Sequence, residues 1–181
     1  MSRLILFSGG VESTAMLTKA TKNDIVMVIR DTSPRAYVTF HPNRVEEIAK
    51  LMRVNLHYTD IKIPIEREKD FVYQLWTFVP IAILWVSRIP RITEVWYGLN
   101  NQEPSDFARK DFDKCVQVFK IAYPNIALKF PLRHLTKKQQ WNIIPKNVQP
   151  LITSCLFNKF CGTCYKCLEL KELRKATNVQ N

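Results

Sequence analysis

Glycine is scarce in this chain, which has four glycines among 181 residues. At the average usage of about 7%, a protein of this size would carry on the order of a dozen. Where glycine is this rare, each one is expected at a backbone position that needs a positive φ or a close approach by another group. Gly9 and Gly10 are adjacent, Gly98 lies in a predicted strand, and Gly162 lies among cysteines.

Long apolar runs are also missing. The longest, Trp76 to Ser87, contains Pro80 and has twelve residues, whereas a membrane-spanning helix needs about 20. The run Leu4–Phe7 is too short for the apolar part of a signal peptide. We therefore expect a cytoplasmic protein with no membrane partner. Its 46% hydrophobic and 24% charged residues are typical of a soluble globular chain.

Acidic residues are few, with 16 Asp and Glu against 27 Lys and Arg, so the net charge is +11. Residues 129–181 hold ten of the basic residues but only two acidic ones, Glu169 and Glu172. Such a basic segment can face a polyanion, a phosphorylated ligand or only water. No dense run of Lys or Arg is present, so nucleic acid is left open as a partner.

Short apolar runs alternate with segments of helical spacing. Apolar residues at i, i+3, i+4 and i+7 predict helices around Val45–Met52 and Phe112–Phe119. Phe71–Ser87 is apolar on nearly all sides, which predicts a buried helix kinked or broken at Pro80. Strands are predicted at Arg3–Phe7, Ile25–Arg30, Val54–Ile61, Glu94–Leu99 and Ile126–Phe130. This alternation predicts an α/β fold around a largely parallel sheet.

The chain also divides by composition. Pro145 and Pro150 bracket a predicted turn region, and a cysteine-rich segment follows it. We expect residues 1–145 to form the α/β domain and residues 146–181 to form an appended subdomain.

A loop with two glycines follows the first predicted strand and leads into a helix predicted around Ala15–Ala20. Backbone N–H groups and hydroxyls gathered at such a turn favour an anion. The Gly-Lys-Ser/Thr of the common nucleoside-triphosphate loop is absent, as is the GxGxxG dinucleotide fingerprint. A plain strand-to-helix turn capped by Ser13 or Thr14 is the alternative. The candidate nucleotide-binding residues are Ser8, Gly9, Gly10, Val11, Glu12, Ser13 and Thr14.

Four of the five cysteines lie within thirteen residues: Cys155, Cys161, Cys164 and Cys167. In a reducing compartment such clustering favours a metal over disulfides. Four thiolates match the closed tetrahedral coordination of structural Zn²⁺. An iron–sulfur cluster and a redox pair are the alternatives that spacing alone leaves open.

The string Ser8-Gly9-Gly10-Val11-Glu12-Ser13 resembles the Ser-Gly-Gly-x-Asp-Ser signature of the ATP pyrophosphatase (PP-loop) superfamily, with Glu12 in place of Asp. The resemblance implies a PP-loop (HUP-like) domain that binds adenine nucleotides. It also implies a loop that holds the pyrophosphate of ATP while a substrate oxygen is adenylated.

Together with the C-terminal cysteines, this loop resembles the 7-cyano-7-deazaguanine synthase family. That resemblance implies an ATP-dependent ligase that converts 7-carboxy-7-deazaguanine and ammonia into the nitrile through an adenylated intermediate. It implies structural Zn²⁺ on the four cysteines, Mg²⁺ with ATP, and a homodimer. Glu12 or Asp31 would help to place Mg²⁺, and Arg109 would neutralise phosphate or the substrate carboxylate.

The chain departs from the family pattern at Pro80-Ile81-Ala82-Ile83, where the family usually has Pro-Gly-Arg-Asn. Two hydrogen-bonding side chains are thereby lost. Two other functions therefore stay open. One is a related PP-loop enzyme that modifies another base, for example in RNA. The other is a degenerate, zinc-stabilised module that binds nucleic acid or protein.

Overall fold

The computed structural model describes residues 2–32, 42–62, 74–100, 106–154 and 161–177, and within these ranges strands alternate with helices. The strands are β1 (Ser2–Leu6), β2 (Ile25–Asp31), β3 (Leu56–Ile61), β4 (Ile92–Trp96) and β5 (Ala127–Lys129). The helices are α1 (Val11–Leu17), α2 (Pro42–Met52), α3 (Gln74–Val86), α4 (Asp106–Ala122), α5 (Lys137–Ile143) and α6 (Tyr165–Ala176). A 3-10 turn spans Gln149–Leu151.

The five strands form one parallel sheet in the order β3-β2-β1-β4-β5. The predicted α/β fold with a parallel sheet is therefore confirmed. Strands β2 and β3 are added on one side of β1, and the chain then crosses to the other side of β1, where β4 and β5 are added. Such a reversal leaves a crevice at the carboxyl ends of the two central strands, where α/β proteins bind ligands.

Alternation along the strands gives the sheet two apolar faces. On one face, Ile5 and Phe7 of the β1 region pack with residues of α1, α2, α5 and α6. On the other face, Leu4 and Leu6 pack with residues of α3 and α4. Both faces of β1 are covered, because its neighbours supply helices to each side.

The sequence patterns predict where a helix occurs more accurately than they predict where it begins and ends. In α2, the predicted stripe is confirmed by the burial of Val45, Ile48 and Ala49. Helix α3 passes through Pro80 without a break, although the sequence allowed one. Helix α1 starts at Val11, four residues before the predicted Ala15, because Gly10 acts as its N-cap. It ends at Leu17, before the predicted Ala20.

The described part of residues 146–181 packs onto the sheet. Leu170 and Leu173 of α6 belong to the same buried cluster as Ile5 of β1 and Trp141 of α5. The division at residue 145 stays a prediction. Within the described ranges, no helix combines the length and the apolar character needed to cross a membrane.

Candidate active site

The Ser8–Thr14 loop (the glycine loop) lies where β1 ends, at the reversal point of the sheet. Gly9 has a φ of +80°, in the left-handed region that favours glycine. A Cβ on Gly9 would also lie 3.1 Å from Cγ2 of Val45 in α2. The carbonyl of Gly9 accepts a hydrogen bond from Thr153 N at 3.2 Å. The loop is therefore held between α2 and the segment that follows the 3-10 turn.

Ser13 fixes the shape of the glycine loop from inside. Its Oγ accepts a hydrogen bond from Ser8 N at 3.2 Å and donates to the carbonyl of Gly10 at 3.2 Å. It also lies 3.1 Å from Ser8 Oγ. Ser13 is buried and Ser8 is exposed. Ser8 therefore presents a hydroxyl at the surface of the loop, while Ser13 supports the loop from below.

Thr14 is fully buried, and its Oγ1 has no hydrogen-bond partner among the described residues. Its backbone N–H donates to the carbonyl of Gly10 at 2.9 Å, as in an ordinary first turn. The sequence left Ser13 and Thr14 as possible helix caps, and this interpretation is wrong. Gly10 is the N-cap, and no side chain caps α1.

Gly98 brings the end of β4 against the glycine loop. A Cβ at this position would lie 3.0 Å from the backbone C and Cβ of Glu12 and 3.0 Å from Ser13 N. Real Cβ atoms rarely pack that tightly against backbone, so another residue would push the two segments apart. The scarcity of glycine therefore did mark a close approach here.

Glu12 is the charged centre of the site. Its Oε1 accepts a hydrogen bond from Asn100 Nδ2 at 3.0 Å and lies 3.1 Å from Lys137 Nζ. Lys137 also forms a short ion pair with Glu169 of α6. The Lys137 side chain is 7% exposed, against 16% for Glu12. This ion triad of Glu12, Lys137 and Glu169 is buried at Lys137 and open to solvent on the Glu169 side, and it joins the glycine loop to α5 and α6.

The triad shifts the pKa values of Glu12 and Lys137. Burial would raise the pKa of Glu12, but the ammonium groups of Lys137 and Lys166 outweigh it, so the pKa lies below its usual value. Burial would lower the pKa of Lys137, but Glu12 and Glu169 hold it above its usual value. Glu12 and Lys137 therefore both carry their charges at neutral pH.

Lys137 is held in place by its own helix start. Thr136 is the N-cap of α5. Its Oγ1 accepts a hydrogen bond from Gln139 N, and its own backbone N–H donates to Gln139 Oε1. One residue later, Gln140 donates to the carbonyls of Leu99 and Leu132. These bonds fix α5 against the segment that follows β4.

The triad was not predicted from the sequence, and only one part of it has a recognisable sequence pattern. The Thr136-x-x-Gln139 pattern is typical of a capping box and would have placed the start of α5. Nothing in the sequence pairs Lys137 with Glu12, because the two residues are separated by 125 positions.

The other two predicted catalytic residues are described through their backbone only. Asp31 is the last residue of β2, so it reaches the same carboxyl edge of the sheet as the glycine loop. Arg109 lies in the first turns of α4. Their side chains lie outside the described part of the chain, and their roles stay predictions.

Three of the four predicted metal ligands come together at the start of α6. The Sγ atoms of Cys161, Cys164 and Cys167 all lie within 4.8 Å of one another. Those of Cys161 and Cys167 are 4.0 Å apart. Gly162, with a φ of +70°, makes the tight turn between the first two cysteines. Cys155 lies outside the described residues, so the fourth ligand stays a prediction.

The donor chemistry of this cysteine cluster fits a thiophilic metal. Tetrahedral Zn²⁺ with Zn–S bonds of about 2.3 Å would hold its sulfurs about 3.8 Å apart. The 4.0 Å between Cys161 and Cys167 is close to that spacing. Backbone N–H groups of Cys164 and Thr163 lower the pKa of Cys161 to about 6. Since thiolates are the form that binds metal, the cluster can hold a metal ion.

The departure at Pro80-Ile81-Ala82-Ile83 lies in α3. Ala82 and Ile83 are fully buried in the cluster between α3 and the sheet. That cluster covers the face of the sheet opposite to α1, α5 and α6. At these two positions the chain therefore has core side chains.

No protein-family profile and no curated protein matches the sequence. Among solved structures, the chain is similar to the U34-tRNA thiolase NcsA from Methanococcus maripaludis, solved with its 4Fe-4S cluster, at a TM-score of 0.54 and 12% identity. The match covers 98% of this chain and 65% of the thiolase, so the chain spans just under two thirds of its length. The NMN synthetase from Francisella tularensis matches at a TM-score of 0.49 and 13% identity, over 98% of this chain and 77% of the synthetase. The thiolase match supports the α/β fold over nearly the whole chain.

Proposed function

We propose that this chain is an ATP-dependent carbon–nitrogen ligase that converts 7-carboxy-7-deazaguanine and ammonia into 7-cyano-7-deazaguanine. The observation that carries the proposal is the position of the glycine loop. It lies at the reversal point of a parallel sheet, pressed against the end of β4 at Gly98. The ion pair of Lys137 with Glu169 also brings α6, which carries the cysteine cluster at its start, close to this loop.

ATP activation solves the chemical difficulty of this reaction. A carboxylate is a poor electrophile, because oxide would have to leave. Attack of the carboxylate oxygen on the α-phosphorus of ATP releases pyrophosphate and forms an acyl adenylate. Ammonia then displaces AMP and gives the amide. A second adenylation, on the amide oxygen, releases another pyrophosphate, and loss of AMP together with both amide protons then gives the nitrile.

In this proposal the glycine loop binds the phosphates. The exposed Ser8 would offer its hydroxyl, Gly9, Gly10 and Val11 would offer backbone N–H groups, and Ser13 and Thr14 would support the shape of the loop. Mg²⁺ would accompany ATP, and carboxylate oxygens are its usual protein ligands. Glu12 Oε1 is already engaged by Asn100 and Lys137. Asp31, at the carboxyl end of β2, is therefore the better candidate for placing the ion, and Arg109 for neutralising negative charge.

We assign Zn²⁺ to Cys161, Cys164 and Cys167, with Cys155 as the fourth ligand. The short sulfur–sulfur distances support a single ion, since a four-iron cluster occupies more space between its thiolates. Bound Zn²⁺ would fix the start of α6 and contribute to folding. Elemental analysis should find one zinc per chain in the parent and none in Cys161→Ser. Iron in the parent would overturn this assignment.

The substrate is tested by mass spectrometry. The full-length protein with Mg-ATP, ammonium and 7-carboxy-7-deazaguanine should form 7-cyano-7-deazaguanine. Gly10→Val should abolish ATP binding, because its side chain would occupy the surface of the loop. Thr18→Ala, a control in the turn after α1, should bind ATP like the parent. Failure to form either amide or nitrile, with ATP binding intact, would refute the substrate assignment.

A tRNA-modifying PP-loop enzyme is the second candidate. It is favoured by the similarity to the U34-tRNA thiolase, which was solved with a 4Fe-4S cluster, and by the three clustered cysteines. The basic residues 129–181 would suit an RNA substrate. An iron–sulfur absorption band after anaerobic reconstitution, together with salt-dependent tRNA binding, would favour this candidate over the ligase. A homodimer, which the family resemblance implies, is tested for either candidate by light scattering.

A further inference from the structure

Lys137 contacts both halves of the candidate site at once. Its Nζ lies 3.1 Å from Glu12 Oε1 in the glycine loop. The same atom is hydrogen-bonded to Glu169 Oε2 in α6, two residues after the metal ligand Cys167. The Lys137 side chain is 93% buried by these and other contacts. One ammonium group therefore bridges the glycine loop and the helix that carries the cysteine cluster.

We propose that Lys137 is a positioning residue that makes nucleotide binding at the glycine loop and metal binding at the cysteine cluster depend on each other. The inference rests on the proposed function, because it takes the glycine loop as the ATP site. It goes beyond that function, because it assigns an energetic link between two sites that the reaction itself does not require.

The coupling requires one residue with a fixed position, Lys137, and one whose position depends on the metal, Glu169. Thr136 and Gln139 fix the backbone of Lys137 through the capping box. The position of Glu169, in contrast, depends on the first turn of α6, where Cys164 is the N-cap and Cys167 the third residue. When metal holds these cysteines together, Glu169 is held toward Lys137. When metal is lost, that constraint is lost too.

The consequence reaches the glycine loop through Glu12. With Glu169 in place, Lys137 divides its charge between two carboxylates. With Glu169 displaced, Lys137 loses one of its two carboxylate partners and interacts more strongly with Glu12, which changes the position of the Glu12 side chain and the electrostatic potential at the loop. Both changes would alter the affinity of the loop for a bound phosphate chain. By linkage, the factor by which metal changes nucleotide affinity equals the factor by which nucleotide changes metal affinity.

The test measures both factors on the full-length protein with a non-hydrolysable probe, α,β-methylene-ATP with Mg²⁺. Calorimetry gives its affinity for the Zn²⁺-loaded and chelator-stripped forms. Competition with a chromophoric chelator gives the Zn²⁺ affinity with and without the probe. We expect each ligand to change the affinity of the other by about 10-fold, within the usual range of coupling.

Glu169→Gln removes the charge that Lys137 shares and should bring both factors close to one. Glu172→Gln is the matched control, because Glu172 lies on the same helix but pairs with exposed Lys175. It should keep the parent factor. Circular dichroism reports whether stripping unfolds the chain. Unfolding would also produce coupling, but a coupling that Glu169→Gln leaves unchanged, and that result contradicts the role of Lys137.

The outcomes separate this inference from the proposed function. Equal probe affinity in the loaded and stripped forms overturns the coupling and leaves the ATP site standing. No probe binding to either form overturns the ATP site and the coupling with it. A factor that falls equally in Glu169→Gln and Glu172→Gln shows a general charge effect of α6 and also overturns the role of Lys137.

Discussion

Two charged groups at the carboxyl edge of the sheet contrast sharply. Arg30 of β2 and Asp60 of β3 form a two-pronged ion pair, with distances of 2.5 and 2.8 Å, and their side chains are 36% and 51% exposed. The ion triad of Glu12, Lys137 and Glu169 lies closer to the centre of the sheet and is largely buried at Lys137. The pair joins adjacent strands, whereas the triad joins three elements that are far apart in sequence.

This contrast shows why good ion-pair geometry is a poor guide to importance. Water and salt screen the exposed pair, so its two short contacts add little. In the triad, Lys137 and Glu12 have lost most of their contact with water and depend on each other, so removing one of these two leaves a largely buried charge without its nearest partner. We therefore expect mutations in the triad to act on folding and on the site together.

The largest effect is expected for Lys137→Met, which keeps the length of the side chain but removes its charge. Glu12 would then keep its largely buried negative charge but lose its nearest cation, with the hydrogen bond from Asn100 and the attraction to Lys166 still present. We expect a loss of about 3–5 kcal/mol in the free energy of unfolding, measured by urea denaturation. Lys138→Met, at the next and exposed position, should change little. Equal stability of the two variants would show that the triad is dispensable.

A smaller effect is expected for Gly98→Ala. The new Cβ would lie 3.0 Å from the backbone C of Glu12 and from Ser13 N. Backbone atoms cannot move aside as the end of a flexible side chain can. We expect a loss of about 1–3 kcal/mol, as for other overpacked sites, together with weaker nucleotide binding. Gly10→Ala is the matched control for stability, because the nearest atoms to its Cβ are 3.7 Å away. A Gly98→Ala protein as stable as the parent would place the β4 end farther from the loop.

The pH dependence of stability should reveal the triad at both extremes. The pKa of Glu12 is lowered, so its contribution is complete above its usual 4.5 and is lost as the pH falls through the folded value. The pKa of Lys137 is raised, so its contribution is complete below its usual 10.5 and is lost as the pH rises through the folded value.

Urea denaturation from pH 7 to pH 3 measures the acid limb. Stability of the parent should fall with a slope that Glu12→Gln reduces, by at most about 1.4 kcal/mol per pH unit for one proton. Parallel curves for the two proteins would mean that Glu12 titrates alike in the folded and unfolded chains.

The smallest effect is expected for Arg30→Met. Its guanidinium contacts Asp60 and lies over the ring of Tyr58 at 4.7 Å, but the group is open to solvent. Stability and nucleotide binding should both stay within error of the parent. A loss as large as that of Lys137→Met would remove the contrast between the two groups.

The sequence was most informative where a residue type has one physical use. The alternation of short apolar runs with segments of helical spacing predicted the parallel sheet. The rarity of glycine pointed to Gly9, Gly98 and Gly162, which have special backbone conformations or close contacts. The spacing of cysteines predicted the cluster of Cys161, Cys164 and Cys167. The triad could not be predicted, because a lysine and two glutamates have the composition of an ordinary surface until the fold brings them together. The start of α1 was missed because a glycine N-cap has no side-chain signal.

The account is tested most directly by following ATP with ³¹P NMR, with full-length protein, Mg²⁺, ammonium and 7-carboxy-7-deazaguanine present. The proposed adenylation predicts AMP and pyrophosphate in equal amounts, two of each for every nitrile formed, and no signal above background in Gly10→Val. ADP and inorganic phosphate as the products, or AMP formation that does not respond to the deazapurine, would contradict the account.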